Sequence, residues 1–366
     1  MLSCIGVNRD KLIFTNRIFR CFTDDCFGIH PSTTKVNSFY LVPSLLDAAA
    51  HNSYIETVSD KTDTLYLRIK ESLTEMTTYS YLDHIRRLSD KFDWKNKEFV
   101  LAFDYTDEDF YGDVQGFDIH GWTGENGVKG KFKFLTCSII SDDIPQKIPL
   151  ISIPITLGHY KSYAITHCLS LIQQYIGKIK LIIFDRGFYD KDLMYELIQN
   201  KFPYLIFVPK SKDKKELLYP LDKGERVNII WNYKLNKDKT TYSFDSCLAF
   251  LKQIYDEKSD KEYDWVFATN VEEIDLTQII QTYKKRWRIE TGFRVQDEAR
   301  IKCKSDDMKI RYFLFMFQQM LQTQWVCFYK NEVSFKEFII EIYKLAEDRA
   351  ANPKRYYGRD LKATVR

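Results

Sequence analysis

The chain has 366 residues, of which 45% are hydrophobic and 15% aromatic, and its formal net charge is +3. That length allows one large core or two to three modules, and the small charge does not by itself indicate a nucleic-acid partner. Lysine is nevertheless in excess between residues 201 and 239, and basic residues are again in excess between residues 284 and 311. Two basic patches would suit a polyanion bound along one face, although solvated lysine faces explain them equally well.

Neither a membrane nor an oxidising compartment is indicated. Polar and charged residues follow soon after Met1, so no signal peptide is predicted. The most apolar segment, residues 311–329, is interrupted by glutamines and is predicted to be a buried core helix. The eight cysteines show no disulfide-like spacing. We therefore expect a cytoplasmic protein with reduced thiols.

The N-terminal quarter is predicted to be a mostly helical domain over residues 1–96. Apolar residues recur at helical spacing from about residue 42 to residue 92, whereas the first 40 residues show no strong periodicity. A helical module at this place could recognise a DNA end. It contains no specific helix-turn-helix signature, so structural packing is the default interpretation.

The pattern changes to that of a sheet near residue 98. Residues 99–103 are continuously apolar and end in Asp104, as expected of a strand buried on both faces. Further strands are predicted over residues 131–139, 148–155, 181–184 and 204–208, with helices over residues 163–176 and 190–200. This order predicts an α/β core with a mixed sheet and flanking helices.

The core is predicted to be interrupted once. Residues 209–263 are polar and lysine-rich with β-like pieces, which indicates a β-rich insertion. The predicted core comprises residues 97–208 and resumes over residues 264–350. Residues 351–366 form a basic tail that we expect to be poorly ordered.

Two aspartates follow predicted core strands, Asp104 after residues 99–103 and Asp185 after residues 181–184. Because ligands of α/β sheets gather at the carboxyl ends of strands, these side chains are expected to converge. Each could instead cap a turn, and other candidates lie nearby: Asp107, Asp109 and Asp113 for the first position, Asp190 for the second, and His120 as a further functional residue. The strand-end residues are preferred because a rigid sheet edge positions a ligand well.

A third carboxylate lies on a predicted helix. The segment 275–278, Asp-Leu-Thr-Gln, has the form of a capping box, which marks a helix start. One stripe of that helix would contain Tyr283, Arg286, Glu290, Arg294 and Asp297. By itself this stripe indicates a solvated salt-bridge face.

The set Asp104, Asp185 and Glu290 changes that interpretation. Carboxylates that share a site repel one another unless cations hold them, and such oxygen ligands suit Mg²⁺ or Mn²⁺. Two such ions, about 3.5–4 Å apart, can activate a water or a 3′-hydroxyl and stabilise the leaving oxygen of a phosphodiester.

The pattern Tyr283-x-x-Arg286-x-x-x-Glu290 resembles the Y-R-E part of the YREK signature of DDE transposases of the insertion sequence four type. Asp104 and Asp185 match the family's two catalytic aspartates in context, and Asp185-Arg-Gly187 is typical of it. The resemblance covers about residues 98 to 330. It implies an RNase H-like core with a β-rich insertion before the glutamate helix.

The resemblance also implies a function. The protein would bind terminal inverted repeats of double-stranded DNA, cut them with two Mg²⁺ or Mn²⁺ ions, and join the 3′-hydroxyl to target DNA. A homodimer in the synaptic complex and a prokaryotic, nucleoid-associated location follow from the same family. The alternatives are an RNase H-like nuclease without strand transfer and an inactive, domesticated DNA-binding protein.

Family roles extend to the DNA contacts. Tyr283 and Arg286 would contact phosphates near the transposon end, while Glu290 completes the metal triad. A tryptophan of the insertion can stack on a flipped base when a DNA hairpin forms, a contact worth about 1–3 kcal/mol. The nearest match is Trp265, which could instead pack in a core strand; Trp231 and Trp287 are alternatives.

One position departs from the family signature. Its lysine is due seven residues after Glu290, where this chain has Asp297. Lys302 or Arg294 is expected to supply the cation instead, with Arg300 as an alternative. Gly292, inside the predicted helix, costs about 1 kcal/mol relative to alanine.

Overall fold

The structure is a computed structural model that describes residues 7–28, 38–121, 124, 126–141, 147–209, 227–236, 243–256, 260–272, 275 and 278–352. The side chains of residues 227–236, 243–245 and 256 are left out of the description. The predicted basic tail from residue 353 onward lies outside the described residues, as does most of the first lysine-rich stretch.

Helices form the N-terminal part of the described chain. They are α1 (Arg9–Phe27), α2 (Ser38–His51), α3 (Ile55–Val58), α4 (Thr62–Glu71) and α5 (Thr74–Phe92). The last four fall in the stretch predicted to be helical, whereas α1 was not predicted. Buried polar residues obscure its apolar pattern: Thr15, for example, is buried because its hydroxyl hydrogen-bonds Tyr329 at 2.7 Å.

The remaining helices are α6 (Lys161–Ile172), α7 (Lys191–Gln199), α8 (Ile279–Lys284), α9 (Trp287–Gln296), α10 (Met308–Phe328) and α11 (Phe335–Ala351). The N-terminal helices pack against α10, for example through the rings of Phe19 and Phe317, whose centroids are 5.6 Å apart. Both groups of helices thus share one apolar core. The domain boundary at residue 96 stays a prediction.

The strands are β1 (Glu98–Phe110), β2 (His120–Gly121), β3 (Gly130–Ile139), β4 (Ile148–Ile155), β5 (Lys178–Phe184), β6 (Tyr204–Phe207), β7 (Val227–Asn236), β8 (Ser243–Asp256) and β9 (Lys261–Thr269). They form one sheet in the order β2-β3-β1-β5-β6-β9-β8-β7, and β4 pairs with β3. Strands β1, β5 and β6 are parallel, whereas β3 pairs antiparallel with both β1 and β4. This arrangement confirms the predicted α/β fold with a mixed, RNase H-like sheet.

The region predicted as an insertion continues the same sheet. Strand β9 pairs with β6 of the core on one side and with β8 on the other, and β7 pairs with β8. The β-rich character of residues 227–256 therefore agrees with the sequence pattern. The predicted boundaries between the core and the insertion stay predictions, because the strands of both belong to one hydrogen-bonded sheet.

Helix α10 is the buried core helix predicted from residues 311–329. Its glutamines are buried and hydrogen-bonded: Gln319 accepts from the Ser152 hydroxyl at 2.8 Å, and the Gln322 amide donates to the carbonyl oxygen of Gly292 at 2.7 Å. These bonds tie α10 to the sheet and to α9, and they offset the loss of water around the amides. No helix among the described residues has the length and apolarity to cross a membrane.

Candidate active site

Strand register places Asp104 and Asp185 side by side. In the parallel pair of β1 and β5, Phe103 is opposite Phe184, and each aspartate is the next residue. Neighbouring strands lie about 4.8 Å apart, so the two carboxylates emerge close together. The side chain of Asp185 also accepts a hydrogen bond from the backbone nitrogen of Arg186 at 2.7 Å, which fixes the turn after β5.

The expectation that a strand ends at Asp104 is wrong. Strand β1 continues to Phe110, and Asp104 is opposite Thr136 of β3. The pairing with β5 stops at Phe103, whereas the pairing with β3 continues, so β1 stays extended without its parallel neighbour. Asp104 therefore lies at the edge where the parallel ladder ends, although it is inside its own strand.

The single helix expected to contain Tyr283, Arg286 and Glu290 is two helices. Helix α8 begins at Ile279, after Gln278, and not directly after Asp275. Where α8 gives way to α9, backbone hydrogen bonds join residues three positions apart, as in a 3₁₀-helix. The Arg286 nitrogen donates to the Tyr283 oxygen at 3.0 Å, and the Ile289 nitrogen donates to the Arg286 oxygen at 2.8 Å. Such tight turns interrupt the regular stripe.

Despite this break, the five residues predicted to matter most meet at one place. The Tyr283 hydroxyl donates to Asp185 Oδ1 at 3.1 Å. Arg286 Nη2 donates to Glu290 Oε1 at 3.0 Å, and Arg286 Nη1 lies 3.5 Å from Asp104 Oδ2. We call Asp104, Asp185 and Glu290 the carboxylate centre; Arg286 bridges two of its members and Tyr283 contacts the third.

Charges in the carboxylate centre are only partly compensated. Burial raises the pKa of Asp104 to about 6, against the lowering effect of Arg286, and the neighbouring Asp185 and Glu290 raise it further. Burial lowers the pKa of Arg286, but the surrounding acidic groups outweigh it and the pKa lies above its usual value. Burial raises the pKa of the Tyr283 hydroxyl, which therefore acts as a neutral hydrogen-bond donor.

A hard divalent cation fits the chemistry of this donor set. All three groups offer carboxylate oxygens, the ligands that Mg²⁺ and Mn²⁺ prefer. Burial raises the pKa of Asp104 despite the nearby Arg286, so a further cation would favour its charged form. Within the described residues, however, no three acidic, histidine or cysteine side chains are grouped tightly enough to hold one ion as they stand. The guanidinium of Arg286 joins two of the three, Asp104 and Glu290.

The competing candidates have other partners. Asp107 pairs with Lys131 at 3.3 Å, and Asp113 pairs with Lys129 at 3.1 Å. Asp190 caps α7 by accepting hydrogen bonds from two of its first backbone nitrogens. His120 Nε2 is 2.8 Å from the carbonyl oxygen of Ile155. Asp109 lies farther along β1, opposite Lys131. These contacts stabilise strands, turns and a helix end.

The residues proposed to replace the missing lysine lie outside the carboxylate centre. Arg294 is exposed on α9, and neither it nor Lys302 forms an ion pair with the three described carboxylates. The Lys302 ammonium lies 6.0 Å from the ring centroid of Tyr54, and the backbones of these two residues form a bridge. Arg300 acts electrostatically on Glu108 and Asp297. Their DNA-binding roles stay predictions.

Trp265 lines a cleft beside the carboxylate centre. The cleft has a volume of about 590 Å³ and is lined by Arg186, Phe207, Val208, Pro209, Tyr263, Asp264 and Trp265. The Trp265 ring is half-buried and lies 6.0 Å from the ring of Tyr283, centroid to centroid. Of the alternatives, Trp287 is 41% exposed, and the side chain of Trp231 lies outside the described residues.

Two residues that the sequence did not suggest hold α9 in place. Arg288 Nη1 donates to the carbonyl oxygens of Ile140 (3.0 Å) and Ser141 (2.8 Å), just after β3. Lys147 is completely buried against α9. Periodicity could not identify either residue, because each acts on an element distant in sequence. The glycine inside α9 was the only local indication of a close approach.

Part of the chain matches a known protein family, and the fold is similar to that of a solved structure. Residues 152–322 match the family model described as the transposase DDE domain, a range that contains Asp185 and Glu290. The fold is similar to that of the piggyBac transposase in a cryo-EM structure of its synaptic complex with hairpin DNA, with a TM-score of 0.60 and 12% identity over 99% of this chain and 86% of the other. No curated protein matches the sequence. The family match covers 171 of the 366 residues, and at 12% identity the similarity to the solved structure concerns the fold.

Proposed function

We propose that this protein is the transposase of an insertion element of the YREK-bearing, insertion sequence four type. The proposal rests mainly on one observation: Arg286 contacts Asp104 and Glu290, and Tyr283 contacts Asp185, so the three carboxylates lie in one site. These residues come from two strands and a broken helix, and their types and order are those of the family signature. Asp297, where the signature has lysine, is the departure from it.

The carboxylate centre would hold Mg²⁺ or Mn²⁺, with two ions as the expected number. When bound, such ions would activate the attacking water or 3′-hydroxyl and stabilise the leaving oxygen. Arg286 bridges the carboxylates and so limits their mutual repulsion in the protein alone. With DNA present, the same guanidinium and the Tyr283 hydroxyl are suited to hold a phosphate near the scissile bond.

The proposed partners are terminal inverted repeats and target DNA, both double-stranded. Arg294 is exposed beyond Glu290 on α9 and Lys302 lies beside Tyr54, so both could contact phosphates farther along the duplex. Synapsis of two ends requires two active sites, which favours a homodimer. A prokaryotic cytoplasm with access to the nucleoid is the proposed location.

The cleft of Trp265 is proposed to receive an unpaired base. Its aromatic walls suit stacking, and Arg186 at its edge follows Asp185 directly, so a base there would be close to the carboxylate centre. The similar fold solved with hairpin DNA is consistent with a hairpin intermediate. Core packing is the competing explanation, because Trp265 also contacts Phe207 and Phe267.

The deciding experiment uses the inverted repeats that flank the gene as substrate, with Mg²⁺ or Mn²⁺. Metal-dependent cleavage at the ends and products joined to a target plasmid are expected. Asp104→Asn, Asp185→Asn and Glu290→Gln should abolish cleavage, whereas Asp107→Asn, which lies on the opposite face of β1 and pairs with Lys131, should not.

Each alternative predicts a different product pattern. Cleavage without joined products would indicate a nuclease that lacks strand transfer. DNA binding that is equally tight without divalent ions, and never followed by cleavage, would indicate an inactive DNA-binding protein. Cleavage that persists in all three carboxylate variants would reject the assigned centre.

A further inference from the structure

Glycine 292 lies in the middle of α9, two residues after Glu290, although glycine disfavours helices relative to alanine. The structure shows a reason for it. A Cβ atom at this position would overlap three carbon atoms of the Lys147 side chain. The missing side chain therefore leaves a notch in the helix surface, and Lys147 fills that notch.

Lys147 is an unusual occupant for such a notch. It directly precedes β4, and its side chain is completely buried. Its Nζ lies 3.2 Å from the centroid of the Phe293 ring, as in a close cation–π contact. It makes no hydrogen bond to any residue that the structure describes. An ammonium in such a place is costly unless nearby negative charges offset its desolvation.

The nearby negative charges belong to the candidate active site. Asp104 and Asp297 are the two carboxylates that act on the Lys147 ammonium, and both favour its charged form. Burial outweighs them and lowers the pKa of Lys147 well below its usual value. One lysine thus interacts with the first carboxylate of the centre and with the residue that stands where the family signature has its lysine.

Other contacts show that α9 is held from several directions. Arg288 anchors it to the end of β3, and Gln322 of α10 binds the carbonyl oxygen of Gly292 itself. Lys147 lies against the same turn of α9. Because Lys147 directly precedes β4, it connects the helix that contains Glu290 with the sheet that contains Asp104.

We propose that Lys147 is a positioning residue of the carboxylate centre: seated in the Gly292 notch with its amino group against the Phe293 ring, it sets the position of Glu290 relative to Asp104. The catalytic consequence rests on the proposed transposase function. The seating of Lys147 does not, so the two parts can be tested separately.

The first test is a double-mutant cycle on folding stability, measured as the urea midpoint. Gly292→Ala should lower the midpoint in the wild-type protein, because the added Cβ displaces Lys147. In a Lys147→Ala background the same change should be neutral or raise the midpoint, because the notch is then empty and alanine favours the helix. An equal decrease in both backgrounds would overturn the seating.

The second test separates the amino group from the bulk of the side chain. Lys147→Met keeps the length and apolar volume but removes the amino group. We expect end-DNA binding and the urea midpoint to stay near wild type while the cleavage rate falls about 10–100-fold, as for other residues that orient metal ligands. Lys129→Met, in an exposed ion pair with Asp113, is the matched control and should cleave normally.

Wild-type cleavage by Lys147→Met would overturn the role of the amino group. Should that variant fold poorly, Gly292→Ala gives a second measure, because it retains the lysine but displaces it and should also slow cleavage without weakening DNA binding. Full cleavage by Gly292→Ala would overturn the positioning role. If the wild-type protein does not cleave DNA at all, the proposed function fails, while the stability cycle still decides where Lys147 sits.

Discussion

The carboxylates of the candidate active site come from two regions that are built differently. Asp104 and Asp185 are positioned by the ladder between β1 and β5, in which every neighbouring residue contributes to the register. Glu290 lies on a short helix after a break, and side chains from distant parts of the chain hold that helix. The sheet side is therefore defined by local pairing, whereas the helix side depends on a few long-range contacts.

Solvent exposure differs between the two regions as well. The side chain of Asp104 is 19% exposed and that of Glu290 is 53% exposed, although both contact Arg286. Removing water from a carboxylate destabilises its charged form, so desolvation affects the more buried Asp104 more strongly than Glu290. Substitutions on the two sides should consequently have similar effects on catalysis and different effects on stability.

The largest effect is expected on catalysis. Asp104→Asn and Glu290→Gln should each lower the DNA cleavage rate about 10³-fold, because a metal ligand supplies several kcal/mol of transition-state stabilisation. DNA-end binding without divalent ions should change little, which a gel-shift titration can check. A much smaller loss for Glu290→Gln would show that only the sheet side holds the metal.

Removing Arg286 should destabilise the protein. Arg286→Met leaves the buried Asp104 without its cationic partner, and we expect a loss of about 3 kcal/mol in the free energy of unfolding, near the lower end for a broken buried pair. Arg86→Met removes a surface pair with Asp83 and should change stability by less than about 1 kcal/mol. Equal urea denaturation curves for the two variants would contradict the bridging role of Arg286.

The stability of the metal-free protein should depend on the protonation of Asp104. Its pKa is about 6 in the folded protein and 3.8 in the reference state. The folded protein therefore binds the proton more tightly, so stability decreases as the pH rises through the interval between these values and stays reduced above it. At pH 7 this charge destabilises the fold by up to about 3 kcal/mol.

Asp104→Asn should therefore stabilise the metal-free protein at pH 7 even though it abolishes cleavage. The gain should shrink as the pH falls and disappear near pH 4. Urea unfolding at several pH values measures both, with Glu290→Gln as the half-exposed comparison. A destabilised Asp104→Asn variant at pH 7 would contradict the assigned pKa shift.

The smallest effect concerns the cleft next to the carboxylate centre. Trp265→Ala should weaken stacking on an unpaired base by about 1–3 kcal/mol, whereas Trp265→Phe should keep part of it. A fluorescent base analogue at the end of the DNA would report the loss, with exposed Trp287→Ala as control. An unchanged fluorescence with Trp265→Ala would assign this tryptophan to core packing.

Local pattern was sufficient for much of the fold. Continuous apolar runs predicted β4 and β5, because a strand covered on both faces has no polar positions. The same reasoning failed at α1, in which buried Thr15 and Thr23 hide the helical period. It failed again at Arg286, since tight backbone turns between α8 and α9 have no simple sequence marker.

Sequence alone determined which groups take part: two aspartates after apolar runs, and a tyrosine, an arginine and a glutamate at fixed spacing. Their chemical types and order follow from the chain itself. Only the tertiary structure decided how they are joined, namely that Arg286 bridges Asp104 and Glu290, and that Lys147 fills the notch at Gly292. The reason is physical: Arg286 and Asp104, like Lys147 and Gly292, are more than a hundred positions apart, and only the packing of helices against the sheet determines which distant side chains meet.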